Sequence, residues 1–99
     1  MPIDLIVRAR NVPVPPALRS QAQRQLARLQ RMARDVARAE VDFSEEHNPR
    51  IRERHHCAVI VHRRHQVVTA HAAAPDPAIA LERALDKVHH QVDQRKERR

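Results

Sequence analysis

Eight histidines, one cysteine, two serines and a pair of adjacent glutamates are the side chains of this 99-residue chain best suited to chemistry. Their spacing argues against it. The histidines fall as His55-His56, His62 with His65, and His89-His90, besides His47 and His71. Adjacent histidines on a strand or helix point in different directions, and no cysteine or second histidine set completes a tetrahedral shell, so no metal is expected. Cys57 alternates with polar and small residues in an apolar run and points inward on a strand reading, as a structural thiol does. Ser20 and Ser44 fall on a helix and an outer strand face without a paired base, and Glu45-Glu46 are neighbours in a polar loop. Glycine is absent, which removes the phosphate-cradling loops that nucleotide-binding enzymes need. No catalytic residue, cofactor or small-molecule substrate is expected, and the chain does not read as an enzyme.

The arginines carry the stronger signal. Lys and Arg number 19 against 12 Asp and Glu, giving a formal charge of +7 and a polyanion as the first partner to consider. One Phe and no Trp or Tyr leave little on which to stack single-stranded bases. At 100° per residue Leu18, Ala22, Leu26, Leu29 and Ala33 form an apolar stripe, and Arg24, Arg28 and Arg31 gather opposite it. No acid lies between Asp4 and Asp35 to neutralise them within the helix. Near the end of the chain Leu81, Ala84, Leu85, Val88 and Val92 make a second stripe. Its polar side is divided: Arg83, Lys87, His90 and Gln94 follow one line, and Glu82, Asp86 and Asp93 another, about 80° away. The two basic sets are expected to lie side by side on the helical layer and to contact phosphates and shape on structured RNA, with strong salt dependence.

These faces need a scaffold, and the chain supplies one. Ile3, Leu5 and Val7 alternate in a short strand ending at Arg8. Pro13, Pro15 and Pro16 lead into a helix over about Pro16 to Arg34. Ala39, Val41 and Phe43 alternate in a second strand, and Glu45 to Arg54 with Asn48-Pro49 reads as a loop. Cys57, Val59 and Val61 mark a central third strand, and Arg63-Arg64 makes a tight reversal into a fourth, Val67 to Ala74. Asp76-Pro77 offers a cap and first-turn proline for a helix to about Lys96. The order β-α-β-β-β-α, with two one-sided helices, predicts an α+β two-layer sandwich: a four-stranded sheet with both helices on one face. Residues 1–96 read as a single domain and 97–99 as a frayed basic tail. The lone cysteine and the lack of a signal segment or apolar span place the chain in the cytoplasm, with no membrane partner.

Certain residues resemble those of ribosome hibernation-promoting factors and ribosome-associated inhibitors, also known as sigma factor modulation proteins. They are Val7-Arg8-Ala9-Arg10-Asn11-Val12, Ala39-Glu40-Val41 through Ser44-Glu45-Glu46-His47-Asn48-Pro49, and Ala80 through Asp86-Lys87-Val88. The resemblance covers essentially the whole chain. It implies a layout similar to double-stranded-RNA-binding modules, and a protein that binds the small ribosomal subunit and its rRNA. Such a protein occupies the mRNA and tRNA channel and inhibits translation in stress or stationary phase. Carried over by position, it adds Arg95 and Lys96 to Lys87 as basic positions of the last helix, with His90 where an Arg is usual. The chain departs from the family pattern at Ala9, at the glycine-free turn after the third strand, and at Ala78, where a Tyr is frequent. These departures bear on turns and local contacts rather than on the fold. Longer family members carry a second domain that pairs ribosomes, so the chain is either a short form or the binding half of a long, self-associating one. A reading from a different class is a dimerisation module using an apolar patch of Ile6, Ile60 and Val67 on the outer sheet face, beside Glu40 and Asp42.

Overall fold

The computed structural model describes residues 3–97, with side chains through Val92. Six elements follow in order: β1 (Asp4–Arg10), α1 (Pro16–Met32), β2 (Arg38–Glu45), β3 (His55–His62), β4 (Val67–Ala74) and α2 (Pro77–Glu97). The four strands form one sheet in the order β1-β2-β3-β4. β1 runs parallel to β2, and the other neighbours are antiparallel. A parallel pair needs a crossover, and α1 is that crossover. The α+β sandwich expected from the sequence is therefore the fold observed.

Period-two alternation holds the sheet in register. Val41 pairs with Val7 on one side and Val59 on the other, and Phe43 lies between Ala9 and Cys57. A slip of one residue would send every one of these side chains to the wet face. Beneath the helices, Val41, Phe43, Cys57, Val59, Val61 and Val68 pack with Leu26, Leu29, Leu81 and Val88, all essentially inaccessible. α2 crosses β3 and β4 and touches α1, which takes the other half of the layer. Gln21 of α1 joins the two helices by donating from Nε2 to the Ala78 carbonyl at 3.3 Å.

The ends of elements differ from the sequence reading for identifiable reasons. β1 continues past Val7 to Arg10, because Arg8 and Arg10 lie on the outer face opposite Asp42 and Ser44 and close to acids there. Asn11 then takes a left-handed φ of 59°, which an Asn tolerates better than most residues, and turns the chain away. α1 stops at Met32, short of Arg34, and the N–H of the extended Ala33 still donates to the Leu29 carbonyl at 2.9 Å. The chain between α1 and β2 is fixed by Asp35, whose carboxylate takes three hydrogen bonds of 3.0 to 3.2 Å from the Arg63 guanidinium. That guanidinium holds the Asp35 carboxyl below its usual 3.8. The reversal between β3 and β4 uses four residues, Arg63 to Gln66, closed by Arg63 N–H to Gln66 carbonyl at 2.8 Å. This length avoids any positive φ, so the turn forms without glycine. Asp76 caps α2 as expected, its Oδ1 accepting from the Ala78 N–H at 2.7 Å.

Leu26 fills the space between α1 and the sheet with no accessible surface. Leu26→Ala should cost about 2–5 kcal/mol, a large part of the stability of so small a domain. Ile6→Ala, on the half-covered outer face, should cost clearly less. Urea unfolding of both variants checks the difference, and equal losses would mean the core is not where the burial places it.

Candidate nucleic-acid interface

The arginines of α1 stand as the helical projection placed them. Arg24, Arg28 and Arg31 are exposed, on the side of α1 away from Leu18, Ala22, Leu26 and Leu29. None forms a salt bridge to any described residue. The charge of Arg24 and Arg31 is therefore offered to solvent, or to a partner, while Arg28 also borders two acids of α2.

The basic line on α2 is elsewhere. Arg83 donates to the Ala73 carbonyl at 2.9 Å, Lys87 to the His71 carbonyl at 2.7 Å and Gln91 to the Thr69 carbonyl at 3.0 Å. Residues spaced by four on a helix thus meet carbonyls spaced by two on a strand, which requires α2 to run antiparallel to β4, with this flank over the strand's free edge. Arg83 also pairs with Glu53 at 3.0 Å, an exposed contact of little net strength. Lys87 bonds a neutral carbonyl, so its charge stays unbalanced. His90 is exposed on the same side of α2. Arg95 and Lys96 belong to the backbone of α2, but their side chains lie outside the described residues.

The flank of α2 turned toward α1 is the acidic one. Glu82, Asp86 and His89 of α2 line an open groove of about 250 Å³ with Gln25 and Arg28 of α1, floored by Leu85. The expectation that the two basic sets lie side by side is thus corrected: the ridge carrying Glu82 and Asp86 separates them. The physical reason is rotation. Burial of Leu81, Leu85 and Val88 leaves α2 two exposed flanks, and the direction of the helix relative to β4 decides which of them meets α1.

The outer face of the sheet holds a polar network that the sequence reading treated as surroundings to an apolar patch. Glu40 lies between Ile6 and Ile60 in the cross-strand row. It accepts from Arg8 at 2.9 Å and pairs with His62 Nε2 at 2.8 Å. Val67 is one row away, beside His62, and 53% exposed. Ile6, Ile60 and Val67 therefore do not make a continuous patch. Nearby, His56 Nδ1 and His71 Nε2 face each other at 3.1 Å with their rings stacked. Diagonal placement on neighbouring strands brings them together, a signal available only once the β3–β4 register is known. No group of three potential metal ligands exists among the described residues. Cys57 is buried in the core, where loss of solvent and the nearby Asp42 charge push its thiol up to about 12.

Comparison with known proteins places this geometry. The family model described as sigma 54 modulation protein / S30EA ribosomal protein matches residues 5–99. The chain belongs to that family. It is a ribosome-associated family of modulation proteins rather than an enzyme family. Among solved structures, a ribosomal subunit interface protein from Coxiella burnetii is similar at a TM-score of 0.83 and 17% identity, covering 96% of this chain and 99% of the other. The N-terminal domain of Protein Y from Thermus thermophilus is similar at a TM-score of 0.77 and 24% identity, covering 95% of this chain and 98% of the other. At those identities the likeness is one of fold. No curated protein matches in sequence. No helix among the described residues is long and apolar enough to cross a membrane.

The His62 hydrogen bond, then the Arg8 and Arg38 charges, hold the Glu40 carboxyl below its ordinary 4.5. A carboxyl depressed on folding adds stability above its unfolded value and loses it as pH falls through the folded one. Glu40 should therefore titrate below 4.5 by carboxyl NMR, and His62→Ala should move its midpoint back upward. An unmoved midpoint would assign the depression to the arginines instead.

Proposed function

We propose that this protein binds the small ribosomal subunit through rRNA phosphates, using Arg24, Arg28 and Arg31 as the principal contact. In this reading it acts in the cytoplasm, occupies the channel where mRNA and tRNA would lie, and inhibits translation by occupancy during stress or stationary phase. The observation that carries the reading is the exposed row Arg24, Arg28 and Arg31 on one side of α1, without a salt bridge to a described residue, in a chain of this family. Elsewhere on the molecule Arg8 is engaged with Glu40 and Arg63 with Asp35, and exposed arginines without a salt bridge, such as Arg50, Arg52 and Arg54, lie in a loop rather than along one helix face.

Contacts of this kind recognise the spacing of phosphates rather than base edges, which suits a chain without Trp or Tyr whose one Phe, Phe43, is buried in the core. The split of the basic residues refines the picture. α1 presents one phosphate-binding strip, and Lys87, with Arg83, a second strip across the acidic ridge. His90, Arg95 and Lys96 extend that second strip in the proposal. Two strips separated by acids fit two phosphate tracks with a gap between them better than one flat polyanionic surface, because Glu82 and Asp86 repel phosphate lying over the groove.

The competing reading, a protein-interaction module on the outer sheet face, is disfavoured by Glu40. Its carboxylate interrupts the apolar residues there, and a partner covering this face would strip water from the exposed Arg8 that pairs with it, at a desolvation cost.

Co-sedimentation with purified small subunits tests the proposal. Binding is expected at low salt and should fall steeply as salt rises. Reversing charge at Arg24, Arg28 and Arg31 together should abolish it and flatten the salt dependence by about one unit of slope per lost phosphate contact. Arg64→Glu, on an exposed turn, should change it little. Arg63 is unsuitable as a control because its loss would free Asp35 and disturb the fold. Absence of co-sedimentation at low salt would overturn the reading, and equal effects of the triple and control variants would move the contact to another face.

A further inference from the structure

The two edges of the sheet are treated differently. On β4 the outward carbonyls of Thr69, His71 and Ala73 are taken by Gln91, Lys87 and Arg83. A strand approaching that edge would first have to displace three long side chains. β1, the other edge, has no such cover among the described residues.

Parallel pairing decides which backbone groups of β1 face outward. The Asp4 N–H bonds the Ala37 carbonyl at 2.9 Å, one residue before its register partner Arg38. Asp4, Ile6, Arg8 and Arg10 therefore direct their backbone groups to β2, and Leu5, Val7 and Ala9 direct theirs to the open side. No described residue outside the β1–β2 ladder bonds those outward groups. β1 contains neither proline nor glycine, and its pairing with β2 runs unbroken from Asp4 to Arg10, so the edge is continuous. Unpaired edges of this kind are templates for another strand.

We propose that this edge pairs with β1 of a second copy of the chain, antiparallel and centred on Val7. The sequence Asp4-Leu5-Ile6-Val7-Arg8-Ala9-Arg10 is complementary to itself in that register. Val7 meets Val7, and Leu5 meets Ala9, so all outward backbone groups find partners in about six hydrogen bonds. Asp4 of each copy lies opposite Arg10 of the other. Asp4 is exposed and has no salt bridge to a described residue, while the Arg10 side chain is 78% exposed and reaches Asp42 only at 4.0 Å. Shifting the register by two residues in either direction loses part of the hydrogen bonding and both Asp4–Arg10 pairs. The two-fold axis stands perpendicular to the sheet, so two four-stranded sheets become one continuous sheet, with the helices of both copies on the same side.

A single strand edge buries well under the about 800 Å² per partner of a standard interface, and two copies of charge +7 repel, so the association is weak and concentration-dependent. Sedimentation equilibrium of the nucleic-acid-free protein at moderate salt, from about 1 µM to about 1 mM, brackets such an affinity. The wild-type chain should pass from monomer toward dimer over this range. D4R or R10D alone, each placing like charges opposite one another twice by symmetry, should raise the dissociation constant about tenfold. The double variant D4R/R10D should restore it, and circular dichroism should show all three folded. A wild-type chain that stays monomeric throughout overturns the proposal. So does a dimer that ignores both single changes, which would place the contact on another surface, and so does a double variant no better than its parents. The readout involves no ribosome, so it stands or falls separately from RNA binding.

Discussion

The rotation of α2 about its own axis is the constraint on which the functional surface depends. Burial of Leu81, Ala84, Leu85 and Val88 fixes that rotation to within the width of the stripe. The bonds from Arg83, Lys87 and Gln91 to alternate β4 carbonyls then hold it to one value along three turns. Once α2 is set this way, its other flank has nowhere to face but α1, and Glu82 and Asp86 come to rest beside Arg28. A helix turned by the angle between its two polar flanks would merge all the basic residues into one field. It would also lift Leu81 or Val88 out of the core, at a cost of roughly 1.5–3 kcal/mol for each side chain exposed. Packing, rather than charge, therefore determines the shape of the charged surface.

This division explains what could and could not be read from the chain. Strand alternation through Ala39, Val41, Phe43 and Cys57, Val59, Val61 survives because each residue has only two faces to choose from, and one is covered. The helices were legible from their stripes, and Asp76-Pro77 marked the start of α2 by local hydrogen bonding alone. The end of β1 was not, because Arg8 read as a stop, whereas acids on the neighbouring strand face Arg8 and Arg10 on a wet face. The reversal at Arg63 to Gln66 is as tight as the sequence suggests, and only its freedom from any positive φ was hidden there. The arginines of α1 were found by projection because their surroundings are set within one helix. The relation of α2 to α1 was out of reach: two flanks 80° apart look equivalent until helix direction and strand order are both known.

The bulk charge also gains structure. Acids are not spread evenly over the molecule. Glu40 and Asp42 sit on the outer sheet face with Arg8, Arg10 and His62, and Asp35 is committed to Arg63 at the end of the sheet. Local pairing thus lowers the field on the sheet side, while the arginines of α1 form no salt bridge to a described residue, although Arg28 borders Glu82 and Asp86 across the groove. For a chain of net +7, this makes the molecule two-sided. A long-range attraction to any polyanion turns α1 toward it before contact, and the effect weakens beyond about 10 Å as salt approaches 0.1 M.

Two-sidedness has a further consequence for the sheet edge. Were the outer face as basic as the helical layer, two copies meeting at β1 would bring like fields together along the whole seam. Instead the seam carries Asp4 at one end and Arg10 at the other, and an antiparallel neighbour inverts that order, so local attraction opposes the net repulsion where the strands touch. The same antiparallel inversion that places Asp4 against Arg10 keeps both sets of helices on one side, because the two-fold axis relates face to like face. An assembly of this geometry presents two α1 strips in a single plane, and each added phosphate contact steepens the salt dependence of binding. The edge left open on β1 and closed on β4 limits assembly to two copies, since the second edge of each is already occupied by its own α2.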